Sequence, residues 1–63
     1  MRQYWQFSYQ SEFGPKTRYF HGTETKVQNR VNRYTGDNKE LRSISKSRAR
    51  YLKEEVKAHI IEL

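Results

Sequence analysis

The chain has 63 residues, of which 13 are Lys or Arg and 7 Asp or Glu, for a net charge of +6. That length accommodates one small domain and excludes a two-domain enzyme. Without cysteine there is neither a disulfide framework nor a thiolate metal site, and a reducing, cytoplasmic setting is expected. Leu, Ile, Val and Phe together number only 12, a composition that borders on disorder, but nine aromatic residues argue for a folded domain with a thin core. The longest strongly apolar run is Ile60-Ile61, so no membrane span or signal-peptide core is present and no membrane partner is expected.

Residues 3 to 9 alternate: Gln3, Trp5, Phe7 and Tyr9 share one face, and Tyr4, Gln6 and Ser8 the other. Period two with aromatic enrichment predicts a half-buried strand. Ser11 to Pro15 carries the Gly14-Pro15 pair, a turn signal, and residues 16–22 read as the second strand of an antiparallel hairpin. Placing Phe20 on the inner face brings Lys16 and Arg18 there and turns Tyr19 outward; the opposite register stays open.

Thr23 or Thr25 can cap the next element, and Thr25 with Gln28 has capping-box spacing. Val27, Val31 and Tyr34 then fall on one helical face, and Gly36 suits a left-handed helix end, so a helix is predicted over about 24–35. Two readings fit the remainder. A short strand over 40–44 followed by a helix from about 47 to 61, capped by Ser45 or Ser47, gives ββαβα. One long helix from about residue 38 through Leu41, Ala49, Leu52, Val56, Ile60 and Leu63 gives ββαα. The three serines at 43, 45 and 47 disfavour the long helix, and a third strand cures the marginal stability of a lone hairpin. An α+β domain of ββαβα order is therefore expected.

Catalytic signals are weak. His21 and His59 lie on separate predicted elements, Glu54 and Glu55 diverge by about 100° on a helix, and the three glycines form no phosphate loop. The expectation is a non-enzymatic protein without cofactor or metal.

The informative cluster is Lys46, Arg48 and Arg50, with Lys53 one turn later. At the start of a helix these cations oppose the macrodipole, while Glu62 crowds the far end. A bound anion such as nucleic-acid phosphate would relieve that arrangement. Plain solvation, with an Arg50–Glu54 pair, is the alternative. Arg33, opposite Val27, Val31 and Tyr34 together with Gln28, Asn29 and Asn32, is a secondary contact candidate, as is Arg30 of the same helix. So is the outer sheet face, where Arg2, Tyr4, Gln6, Tyr19 and His21 can meet and stack on bases. The expected function is a nucleic-acid-binding accessory protein, DNA or RNA. The alternative is a protein-interaction module, an inhibitor or assembly subunit, using a sheet edge or a homodimer through Val56, Ile60, Ile61 and Leu63.

The predicted order of a small sheet with packed helices is similar in outline to the arm-type DNA-binding modules of phage and transposon recombinases. The similarity implies DNA binding but carries over no individual residue. A short, basic, cysteine-free chain opening on Met1 also fits a small phage or bacterial reading frame.

Overall fold

A computed structural model describes all 63 residues. Two nine-residue strands, β1 (Gln3–Ser11) and β2 (Gly14–Gly22), form the predicted hairpin. They are followed by helix α1 (Glu24–Val31), strand β3 (Asp37–Ile44), helix α2 (Lys46–Tyr51) continuing into a π-helical turn (Leu52–Val56), and a short strand β4 (Ile60–Glu62). The sheet order is β3-β1-β2-β4, with β1 antiparallel to both neighbours and β4 parallel to β2. This is the α+β fold in ββαβα order with one strand added, and the long-helix alternative does not occur.

The hairpin register sets the two faces. Trp5 pairs with Phe20, Phe7 with Arg18 and Tyr9 with Lys16, so Phe20 points inward and Tyr19 outward. On the inner face Trp5, Phe7, Tyr9 and Phe20 form one core with Val27 and Val31 of α1, sealed by Tyr34, Leu41, Ile61 and Leu63. The rings of Phe7 and Tyr9 lie 5.1 Å apart and both meet Tyr34, and the indole Nε1 of Trp5 donates to the carbonyl of Gly22 at 3.1 Å. With so few aliphatic residues, ring surface supplies most of the buried apolar area.

Three local expectations change. Helix α1 is shorter than 24–35, and its N-cap is Thr23, whose hydroxyl accepts from the Lys26 amide; Thr25 and Gln28 form no capping box. Gly36 does not end the helix. It lies five residues beyond, at φ +145°, where a Cβ would sit 2.4 Å from the Gln10 carbonyl oxygen, so this position needs a residue with no side chain. Strand β3 starts earlier than 40, at Asp37, with a register shift opposite Ser8 to Gln10 and Asn38 at φ 54°.

The largest difference is at the C-terminal end. The last helix stops at Val56, not 61. The Leu52 carbonyl accepts the amides of both Lys57 and Ala58, and Lys57 adopts the left-handed conformation at φ 64°. The chain then runs through His59, outside any helix, into β4. Period two sends Ile60 outward beside Tyr19 and Ile61 inward beside Phe20, while the Leu63 amide donates to the His21 carbonyl. On a helix the adjacent isoleucines would point about 100° apart on one side; in the strand they serve opposite faces of the sheet. The strand also removes the proposed helical dimer face, because Ile61 and Leu63 pack against the core and only Val56 remains 53% exposed.

Candidate functional site

Helix α2 follows β3 after one residue. Ser45 caps it by accepting the Arg48 amide at 3.1 Å. The Arg48 amide is thus already engaged, and the α-helical part is only six residues long, so the helix end contributes no anion site of its own. Any anion contact here therefore falls to the side chains.

Helical spacing places Lys46, Arg50 and Lys53 within an arc of about 60°. All three line a cleft of about 290 Å³ together with Tyr4, Ala49, Glu54 and Ile60. Ala49 and Leu52 are the buried residues of this segment, and they lie outside the aromatic core. Tyr4 and Ile60 belong to the outer face of the sheet, so α2 covers that face while α1 covers the inner one.

Arg48 separates from the other three. It points around the helix, its guanidinium 5.4 Å from the centre of the Tyr51 ring. Arg30 and Arg33 are farther still: they line a shallow cleft with Lys26, Asn29 and Leu63 on the α1 side of the sheet. The six predicted contact residues therefore divide among three surfaces, and only Lys46, Arg50 and Lys53 form a continuous stripe.

The ion pairs of the molecule are Arg2–Glu62, His21–Glu62 and Arg42–Glu40. None of the six candidate cations takes part. The Arg50–Glu54 pair expected from spacing does not form, although Glu54 borders the same cleft.

Beside the stripe, on the outer face, is a cluster with a different balance. Glu62 Oε2 accepts from Arg2 Nη2 at 2.6 Å and lies 2.9 Å from His21 Nδ1. An ionised carboxylate only accepts, so Nδ1 carries the proton. The His21 ring stacks on Tyr4 with centroids 4.2 Å apart and planes 20° from parallel. The hydrogen bond from His21 holds the Glu62 carboxyl below its ordinary 4.5; desolvation opposes it, and the fields of His21, Arg2 and Lys53 add to the lowering. Sequence reading brought Arg2, Tyr4 and His21 together but assigned Glu62 to a helix end. The overlooked signal was the apolar-polar-apolar run Ile61-Glu62-Leu63, a strand pattern too short to stand out.

This cluster limits base stacking. One face of Tyr4 is occupied by His21, and Tyr4 and Tyr19 are both half-buried. No group of three or more His, Cys, Asp or Glu side chains gathers in a way that could hold a metal ion. No helix is long and apolar enough to cross a membrane.

No protein family, curated protein or solved structure matches the chain. The outline similarity to recombinase arm modules rests on element order, and nothing further supports it.

Proposed function

We propose that this chain is a non-enzymatic nucleic-acid-binding accessory protein whose Lys46, Arg50 and Lys53 stripe holds backbone phosphates. The observation that carries the reading is the convergence of these three cations, without a carboxylate partner, along one side of α2 in a protein of net charge +6. Phosphate contacts of this kind position a protein on a duplex and carry no sequence information. The occupied ring face of Tyr4 favours duplex backbone over unpaired bases as the target. Arg48, Arg30 and Arg33 fall outside this surface. A cytoplasmic setting accords with this reading and with the lack of cysteine.

The test is a set of shift assays with double- and single-stranded DNA and RNA at two salt concentrations. Binding to duplex that weakens steeply with salt is expected. Absence of binding to every probe at about 50 mM salt would reject the reading.

The second reading, a protein-interaction module, no longer rests on the apolar C-terminal end. The feature that now favours it is the exposed edge of β3.

A further inference from the structure

Strand β3 is the outermost strand on its side of the sheet, with its outer backbone groups unpaired over Asp37–Ile44. The opposite edge is guarded by β4, only three residues long. Natural edges are usually blunted by bulges, charges or proline. Here the irregularity is confined to the start of the strand, near Asn38, and from Glu40 to Ile44 the ladder with β1 is regular. Lys39, Glu40 and Arg42 put charge on this regular edge, so it is a template only for a strand whose charges complement them.

The side chains specify which strand. Glu40 and Arg42 share the outer face opposite Ser8 and Gln6, while Leu41 shares the inner face opposite Phe7. Suppose a second copy of β3 adds antiparallel about a two-fold axis. Backbone groups point outward on alternate residues only, so the axis must pass through a residue and not between two. Centring on Glu40 sets two carboxylates face to face, and centring on Arg42 sets two guanidiniums face to face, both destabilising. Centring on Leu41 pairs Leu41 with its own copy and places Glu40 opposite Arg42 of the second copy on both sides of the axis. Each chain already joins these two side chains as an internal ion pair. In the dimer the pairs become a self-complementary ring of four charges.

We infer that the chain forms a symmetric dimer by antiparallel β3 addition centred on Leu41, joining two four-stranded sheets into one of eight. The axis is normal to the sheet, so both α2 stripes lie on the same side of the assembly. The contact is small and its affinity accordingly modest.

Sedimentation equilibrium of the full chain, without nucleic acid, tests this directly. Wild type should dimerise as its concentration is raised to millimolar. Glu40→Arg alone and Arg42→Glu alone should be monomeric, because each places like charges across the axis. An equimolar mixture of the two should dimerise, since one chain then offers two arginines to two glutamates of the other. The double variant E40R/R42E should dimerise by itself. A wild-type chain that stays monomeric at millimolar concentration overturns the proposal. So does a dimer that survives either single reversal, or single variants that fail to associate on mixing.

Discussion

The two faces of the sheet use the same alternating strands for different ends. On the inner face, Trp5, Phe7, Tyr9 and Phe20 are met by Val27 and Val31, and Phe20 has no exposed surface. On the outer face the strands offer Tyr4, Tyr19, His21 and Ile60, all only half-buried, and α2 adds Ala49 and Leu52. The first face holds the fold together. The second is thin, and the cations and the Glu62 cluster stand along it. A chain with so few aliphatic residues builds its aromatic core on one face and closes the other with the short α2 segment.

The comparison breaks most sharply under core truncation. Phe20→Ala or Phe7→Ala should cost about 3–5 kcal/mol and leave a domain of this size largely unfolded, read from the denaturant midpoint. Ile60→Ala, on the outer face, should cost about 1–2 kcal/mol, in keeping with its partial burial. Equal losses on both faces would mean that the outer layer is as structural as the inner one.

Gly36→Ala comes next. The added methyl meets the Gln10 carbonyl at a φ that favours glycine, so a loss of roughly 1–3 kcal/mol in thermal or chemical unfolding is expected. Lys57→Gly has the opposite sign. It relieves a left-handed lysine at the end of the π-helical turn, and a gain of up to about 1 kcal/mol should follow, reduced by the greater freedom of glycine in the unfolded chain.

The smallest effect concerns Glu62. Its carboxyl titrates below the ordinary 4.5, so the stability contributed by the ionised form is present above that value and is lost as the pH falls through the lowered one. Between about pH 5 and pH 3 the Tm of wild type should therefore fall more than that of Glu62→Gln. Identical acid profiles would show that the contacts with His21 and Arg2 are inconsequential.

Much of the inner face was legible in the sequence. Alternating aromatics defined β1, and Val27 with Val31 marked the buried side of α1; the turn falls on Glu12 and Phe13, so Gly14-Pro15 opens β2 two residues before the expected start at Lys16. The serines between 43 and 47 correctly argued for a third strand and a cap. The outer face was harder to read, because its decisive event is a π-helical turn closed by a left-handed Lys57, where no glycine marks the stop. Val56, Ile60 and Leu63 keep helical spacing across that break, so periodicity carried the predicted helix five residues too far. The same error hid β4, and with it the partner of Arg2 and His21. Within the basic cluster, sequence order put Arg48 between Lys46 and Arg50, whereas the 100° turn per residue sends it to the far side.

The central claim is that the stripe on α2, and not positive charge in general, holds phosphate. The salt dependence of duplex binding measures it most directly, for wild type, the triple variant K46Q/R50Q/K53Q and the double variant R30Q/R33Q. Three phosphate contacts predict a log–log slope near −3 for wild type, a slope near zero for the triple variant and little change for the double variant. A triple variant that keeps the full slope, or a double variant that flattens it equally, would contradict the account.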